Sequence, residues 1–361
     1  MVEQDIPSPT PTPLNRQLSA ERPSTEYTRP HLSTVLSVRF FPSSSVLLTS
    51  SSDHTLRIHD ALSPTLTTVR TLTGHTAAVT GTAVVDRGRN VLSASKDGTI
   101  RLWDVGGAKE IALRRWSTGA GAVAALCLDT GESRSGYESS LGGEGNSGIL
   151  AGPGEVGTEN RLVLAGLQDG RVEGFDLRSK RSAFSFSPKP SGQYTTGSAA
   201  IESIVFASDS SMLAAGARNG ILRWWDVRSC GRGEGPPLCE FKRNGAGIES
   251  LAWVPAEWTR TLEETKLDER ERLSWVEDEV PVTLGGESLA KGLPHLVIGT
   301  VDGLPWRAGM STDAKAVVVE EYVGYACGDG VRVVRWCTGG GEAGLGRGVW
   351  CAGDDGLVRF Y

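Results

Sequence analysis

Histidine, serine and aspartate recur at matched distances in the first part of the chain, and these residue types can perform acid–base or nucleophilic chemistry. His75 precedes Asp97, and Trp103 closes the same segment. Ser93 and Ser95 lie two residues apart on one predicted strand and therefore share a face. Because a buried imidazole is normally satisfied by its neighbours, we interpret the group as structural rather than catalytic. We predict a network of His75, Ser95, Asp97 and Trp103, and we choose Ser95 because it is nearer the turn.

Sequence signatures of catalysis and metal binding do not occur. The five histidines have no metal-ligand spacing, and the chain contains neither G-x-S-x-G nor a P-loop. The six cysteines form no C-x-x-C pair, which favours reduced thiols in a cytoplasmic or nuclear protein. We therefore expect no enzyme activity, no metal and no cofactor.

Residues 72–104 show which elements position these side chains. Three short runs rich in β-branched residues lie within 79–103 and are separated by turn residues. Each run has the length and composition of a strand. The Asp97-Gly98 pair is a strong hairpin signal, because such a turn needs positive φ. The segment opens with Gly-His and closes with Trp-Asp, and in this it resembles one WD40 repeat.

The turn of this segment returns along the chain. An Asp or Asn occupies the same turn position in each repeat. These residues are Asp53, Asp97, Asp169, Asn219, Asp302 and Asp355. The first interval of 44 residues is typical of a WD40 repeat. In the first repeat we interpret His59 as a replacement for the closing Trp rather than as a ligand. Each repeat can bury its faces only against neighbours. The sequence therefore predicts an all-β WD40 β-propeller with six recognisable repeats.

Composition divides the chain into a tail and the propeller. Residues 1–30 are rich in Pro, Ser and Thr and are predicted to be a disordered tail. Within that tail, 24–28 precedes the first strand and could supply an outermost strand to the last blade. The predicted propeller spans 31–361, with insertions at 130–160 and 257–292. The sequence contains no apolar run long enough to predict a membrane-spanning helix.

Several stretches resemble one particular family, the proteasomal ATPase-associated factor. They are VDRGRNVLSASKDGTIRLWD (85–104), RFFPSSSVLLTSSSD (39–53), EVGTENRLVLA (155–165) and DDGLVRFY (354–361). The resemblance implies a WD40 assembly chaperone for the base of the proteasome regulatory particle. It also implies a propeller usually of seven blades after a small N-terminal domain. Six repeats are visible here, and the chain begins where the family's second blade would begin.

The resemblance implies protein binding without catalysis. The implied partner is the C-terminal domain of one ATPase subunit of the base, held until the ring of ATPases is assembled. One alternative is a substrate receptor of a cullin-type ubiquitin ligase, because WDVR (225–228) resembles the ending of such receptors, although Arg218 stands where an acidic residue is expected. Another is a general WD40 scaffold. The net charge of −6 without a basic run disfavours nucleic acid and suits a basic protein partner.

The expected docking face carries the turns between the second and third strands and the loops from the fourth strand of one repeat to the first strand of the next. Both insertions fall between the first and second strands of their repeats, so they crowd the opposite face and leave this one clear. The predicted contacts neighbour the structural turn residues: Lys96, Gln168, Arg218, Val301 and Asp354. Interface energy usually concentrates in a few anchors on such a platform.

Overall fold

All regular structure in the described part of the chain is β-strand. Residues 1–28 lie outside that part, and so does the whole of the predicted insertion 257–292. The computed structural model describes residues 29–63, 66–115, 117–118, 121–132, 154–159, 161–187, 199–228, 235–254, 293–311, 315–322, 330–337, 348–354 and 358–360.

The strands form six antiparallel sheets on one plan, and each sheet is made from one continuous stretch of sequence in the order of the chain. A two-stranded hairpin, β9 (Ser117–Thr118) and β10 (Gly121–Ala122), lies between the second and third sheets. The strands are β1 (Val35–Phe40), β2 (Val46–Ser51), β3 (Leu56–Asp60) and β4 (Thr68–Leu72) in sheet one; β5 (Val79–Val85), β6 (Asn90–Ser95), β7 (Thr99–Asp104) and β8 (Lys109–Arg115) in sheet two; β11 (Ala125–Glu132), β12 (Arg161–Leu167), β13 (Val172–Asp176) and β14 (Ser182–Phe186) in sheet three; β15 (Ile201–Ala207), β16 (Met212–Ala217), β17 (Ile221–Asp226) and β18 (Cys239–Lys242) in sheet four; β19 (Ile248–Val254), β20 (His295–Thr300), β21 (Trp306–Met310) and β22 (Ala316–Glu321) in sheet five; and β23 (Val331–Cys337), β24 (Gly348–Gly353) and β25 (Val358–Phe360) in sheet six.

The turn between the second and third strands is built the same way in sheet after sheet. In sheet two Gly98 has φ +79°, the left-handed conformation that glycine adopts without a Cβ penalty, and its N–H bonds to the carbonyl of Ser95. The neighbouring Lys96 donates its N–H to the carbonyl of Ala78, which precedes the first strand. Each tight turn is therefore fastened to the loop that enters its own sheet.

Consecutive sheets are joined by apolar clusters at five interfaces. At the first of them Leu48 and Ile58 of sheet one pack with Val91 and Trp103 of sheet two. Among the described residues, no such cluster joins sheet six to sheet one. The first strands of all six sheets line one central cavity of about 330 Å³, which we call the channel.

The predicted insertion 130–160 is partly described. Residues 130–132 continue β11, and residues 154–159 lie against sheet two. Asn90 holds that segment with its side-chain amide, donating to the carbonyl of Gly154 at 3.1 Å and accepting from the N–H of Val156 at 2.6 Å. The end of the insertion is therefore anchored, whereas residues 133–153 lie outside the described residues.

A polar network and the turn face above the channel

The network predicted around His75 is present in sheet two, but Ser93 takes the place predicted for Ser95. His75 Nδ1 lies 2.8 Å from Asp97 Oδ2, and its Nε2 lies 2.7 Å from Ser93 Oγ. Trp103 donates its indole N–H to the same Ser93 oxygen at 2.8 Å. Because that oxygen accepts from the indole, its own proton is directed to His75 Nε2, and the proton on Nδ1 is then donated to Asp97. The two bonds to Ser93 are buried and the bond between His75 and Asp97 is partly buried. Trp103 packs in the apolar cluster that joins sheets one and two.

The choice of Ser95 was wrong, and the register of the strands gives the reason. Trp103 pairs with Val91, so Ser93 is two residues away along β6 and Ser95 is four. At about 3.3 Å per residue the indole reaches the nearer hydroxyl only. Ser95 instead closes the turn, donating to the carbonyl of Ala78 at 2.9 Å and accepting the N–H of Asp97 at 3.2 Å.

Asp97 is held as a carboxylate by the donors around it. Burial alone would raise its pKa, but hydrogen bonds from Thr99 and His75 and from the N–H of Thr76 outweigh burial and lower the pKa below its usual range. Burial lowers the pKa of His75, although its bond to Asp97 opposes that shift. A neutral imidazole bonded to an ionised carboxylate is the resulting state, and both groups are occupied by structural partners.

Sheet one contains a second network that the sequence analysis did not predict in full. His31 bonds through Nδ1 to Asp53 at 2.9 Å and through Nε2 to Thr49 Oγ1 at 2.7 Å. His59 Nε2 lies 2.8 Å from the same Thr49 oxygen, and its Nδ1 lies 3.1 Å from Thr68 Oγ1. His59 therefore takes the place that Trp103 occupies in sheet two, in agreement with its interpretation as a replacement. The available signal was the matched position of Thr49 and Ser93, each four residues before its turn aspartate.

We expect His59 to make sheet one sensitive to acid. Burial lowers the pKa of His59, and the charges of His31 and Arg57 lower it further. The unfolded chain binds this proton more readily, since a free imidazole titrates near pH ~6.5. Stability is therefore complete above that pH and is lost as the pH falls through it. The His59→Trp variant should lose less in melting temperature than the parent between about pH 7.5 and about pH 5.5.

His75 and His295 remain in both proteins, and burial lowers the pKa of each, that of His295 to about 3. They provide the background pH dependence against which the His59→Trp variant is measured. An equal loss of melting temperature in parent and variant would show that His59 does not control this transition.

The remaining sheets lack the hydroxyl on which the network depends. The residues at the position of Ser93 are Ala165, Ala215, Ile298 and Cys351. In sheet four, the indole N–H of Trp225 is buried without a hydrogen-bond partner among the described groups. Sheets one and two are therefore the two that carry the polar network in the described part of the chain.

The predicted contact residues occupy one equivalent position on their turns. Each is exposed and donates its backbone N–H to the carbonyl of the residue just before the first strand of its sheet, at 2.9 to 3.0 Å. The structure thus places them on a single face, beside the loops that enter the sheets. They are Lys96, Gln168, Arg218, Val301 and Asp354. Their role in binding stays a prediction.

Two of these turn residues form ion pairs that link the turn face to the channel. Arg218 Nε donates to Glu202 at 2.6 Å, and Arg332 Nε donates to Asp354 at 2.8 Å. The bond from Arg332 lowers the pKa of Asp354. Arg332 also lies 3.1 Å from Glu249. Glu202, Glu249 and Arg332 all hold the second position of a first strand, and the sequence analysis did not identify them.

The Trp-Asp-x-Arg ending at 225–228 is internally paired. The backbone N–H and Nε of Arg228 both donate to Asp226, at 2.9 and 3.1 Å. Cys127, Cys239 and Cys351 form no disulfide, and burial raises the pKa of Cys239. No cluster of three or more metal-ligating side chains occurs within the described ranges. A helix long and apolar enough to cross a membrane is likewise absent from those ranges.

Comparisons with known proteins agree with this geometry. The family described as "WD domain, G-beta repeat" matches residues 23–60, 66–104 and 188–226. The yeast Saccharomyces cerevisiae protein "26S proteasome regulatory subunit RPN14" is 35% identical over 208 residues, which cover 56% of this chain and 46% of that protein. The "Ribosome biogenesis protein WDR12 homolog" of Oryza sativa subsp. japonica is 25% identical over 222 residues, covering 59% of this chain and 47% of that protein.

A shorter match is human "WD repeat-containing protein 37", 41% identical over 64 residues, which cover 18% of this chain and 13% of that protein. The chain thus spans about half the length, or less, of the relatives that it matches. Three matched repeats, six antiparallel sheets on one plan and first strands that line a shared channel identify the fold as a WD40 β-propeller.

Proposed function

We propose that this chain is a protein-binding propeller that acts, without catalysis, as an assembly chaperone for the base of the proteasome regulatory particle. The observation that carries the proposal is the similarity to the yeast protein named as a proteasome regulatory subunit, which extends over more than half of this chain. The proposed partner is the C-terminal domain of one ATPase subunit of the base. The proposed location is the cytoplasm, and also the nucleus.

The turn face is the proposed docking surface. Its exposed residues stand on rigid turns, each fastened by a backbone hydrogen bond to its own sheet. A turn whose backbone is already fixed loses little backbone entropy on binding, which favours affinity. Arg218 and Asp354 present opposite charges at equivalent positions of sheets four and six, so they can fix the orientation of a partner.

The test is a pull-down with recombinant C-terminal domains of the proteasomal ATPases, after affinity purification from cells has identified the bound proteins. A double variant, Arg218→Glu with Asp354→Arg, reverses both charges and leaves the net charge unchanged, so long-range attraction is preserved. We expect capture to fall about tenfold, corresponding to about 1.4 kcal/mol. The matched control is Arg228→Glu with Asp226→Arg, which exchanges the paired charges at the end of β17, away from the turn face.

Deletion of residues 133–153 should leave capture unchanged, because it spares both β11 and the anchored segment 154–159. Loss of capture in this deletion, with the double charge reversal silent, would place the docking surface on the other face. Purification of a cullin adaptor or of ribosome assembly proteins in place of proteasomal ATPases would replace the proposal with one of the alternatives. The rice ribosome biogenesis relative is the observation that favours the second of these.

A further inference from the structure

The interfaces between the first four sheets share one arrangement of side chains around an aromatic ring. Between sheets one and two, the ring of Trp103 packs with four apolar side chains of sheet one, which are Leu48, Leu56, Ile58 and Leu72. Strand register relates these positions to those of the next interface, because Leu56 pairs with Leu72 as Ile100 pairs with Arg114. The equivalent residues of sheet two are therefore Leu92, Ile100, Leu102 and Arg114. We call these four positions the ring seat.

The ring seat between sheets three and four also holds an indole. Trp225 takes the position of Trp103 there and is 4% exposed. Its ring stacks on that of Phe186, with the ring centroids 5.0 Å apart. Phe186 pairs with Val172 and thus has the position of Leu72. Two of the three ring seats are therefore filled by a tryptophan side chain.

The ring seat between sheets two and three holds a smaller ring. Phe175 has the position of Trp103, since it pairs with Val163 as Trp103 pairs with Val91. A cavity of about 390 Å³ remains there, and Leu92, Ile100, Leu102, Ala112, Arg114 and Phe175 are among the residues that line it. For comparison, an apolar protein cavity of roughly 150 Å³ accepts benzene. Phenylalanine therefore leaves part of this ring seat empty.

Arg114 lies where the cavity reaches the surface. Its side chain is 27% exposed and lies 3.6 Å from Glu173. Its guanidinium lies 4.9 Å from the centre of the Phe175 ring, and its Nη1 donates to the carbonyl of Lys180 at 3.1 Å. The planar guanidinium can stack on a second aromatic ring while it keeps these bonds.

The charges at the cavity favour a neutral ligand over an anion. Arg114 and Lys180 already have carboxylate partners, and Lys180 Nζ lies 2.6 Å from Glu155. Arg115 alternates with Arg114 along β8, so its side chain points to the other face of sheet two. The floor is apolar, because Leu92, Ile100 and Leu102 are at most 2% exposed.

We propose that this cavity is a binding site for a neutral, planar aromatic ring of the size of indole. The ring packs on the apolar floor beside Phe175 and stacks with Arg114. The argument for this ligand is the molecule's own repetition, since the same ring seat holds an indole in the interfaces on either side. A free aromatic compound and a tryptophan side chain of a partner protein both present this ring. The site lies on outer strands, so it and the proposed turn-face contact can fail independently.

The probe is indole, added to the full chain. Saturation-transfer NMR should show saturable binding with a dissociation constant of about 1 mM or tighter. Phe175→Trp fills the ring seat from within, and we expect it to weaken indole binding at least about tenfold. The same variant should raise the melting temperature by about 2 °C, because filling a cavity stabilises the folded state.

Ala112→Leu is a second filling variant, from the other wall of the cavity. Ala112 is only partly buried on β8, so a leucine can be accommodated there, and binding should again weaken at least about tenfold. The matched control is Ala61→Leu, the same change at a partly buried turn position in sheet one, which should leave binding unchanged. Circular dichroism confirms that each variant is folded. No saturation by indole, or full affinity in both filling variants, would overturn the proposal.

The tripeptide acetyl-Gly-Trp-Gly-amide separates the two sources of the ring. If it binds at least as tightly as indole, the site takes a side chain of a partner protein. If indole binds and the tripeptide does not, the site takes a free aromatic compound. Trp116, which follows β8 in the sequence, is the rival occupant. A gain of about tenfold or more in indole affinity in Trp116→Ala would show that the chain fills its own ring seat, which overturns the proposal.

Discussion

Replacing Trp103 by alanine is expected to lower the free energy of unfolding by about 3–5 kcal/mol, the range for removing a large buried aromatic side chain. The side chain is 1% exposed and packs with the apolar residues that join sheets one and two. Its ring also lies at 6.0 Å from the ring of His75, in an edge-to-face arrangement. Denaturant unfolding followed by circular dichroism measures the change.

The polar share of this effect can be separated with a double-mutant cycle. Trp103→Phe removes the indole N–H and keeps most of the apolar contact, and Ser93→Ala removes its acceptor. We expect a coupling energy of about 0.5–3 kcal/mol between them, as for residues in one hydrogen-bond network. Additive effects of the two changes, or an unaltered stability in Trp103→Ala, would contradict the network.

A second large effect is expected for Leu251→Ala at the interface between sheets four and five. Leu251 is 1% exposed and lies in the cluster that contains Leu222, Trp224 and Trp306. Loss of a buried leucine side chain costs about 2–5 kcal/mol, depending on how far the cavity collapses. The same denaturant titration measures this change, and an unaltered slope against denaturant shows that the two-state transition is retained.

Sheets one and six offer a matched pair at the position of Leu251. Val334 is fully buried there and Val38 is 52% exposed. Val334→Ala should cost about 2 kcal/mol, because it removes two buried methyl carbons and leaves a cavity. Val38→Ala should change stability by less than about 0.5 kcal/mol, as for an exposed site. A cost for Val38→Ala equal to that for Val334→Ala would mean that this side of β1 is covered in solution.

Local signals were sufficient to predict the repeating sheets. Alternating β-branched residues bounded by Asp-Gly and Asn-Gly turns define strands whose pairing follows from the turn itself. Glycines such as Gly98 and Gly220 adopt the positive φ that those turns need. The structure brings His75, Asp97 and Trp103 together. Trp103 lies opposite Val91 in the hairpin, and His75 bonds to Asp97 in the turn. The prediction of Ser95 was wrong because Ser93 and Ser95 share a face of β6, and only the register shows which hydroxyl the indole of Trp103 reaches.

The arrangement of charged residues in the channel could not be predicted from the sequence, because the packing of successive sheets brings these residues together. Arg39, Asp129 and Arg335 lie on three different first strands separated by most of the chain. The ion pair between Arg218 and Glu202 depends on the loop that returns each turn to its own first strand. The exposure of Val38 could not be predicted either, because its alternation with Ser37 and Arg39 is that of any half-buried strand.

The continuous build of each sheet has a consequence for how the protein forms. Each described sheet takes its strands from one stretch of the chain, in the order of the chain. A sheet can therefore form as soon as the ribosome has released its own residues. Until the next sheet is made, however, the newest one exposes to solvent the apolar face that the next sheet will cover, such as that of Leu222 and Trp224 in sheet four. We therefore expect that during synthesis the protein is itself a substrate for the chaperones that shield such faces.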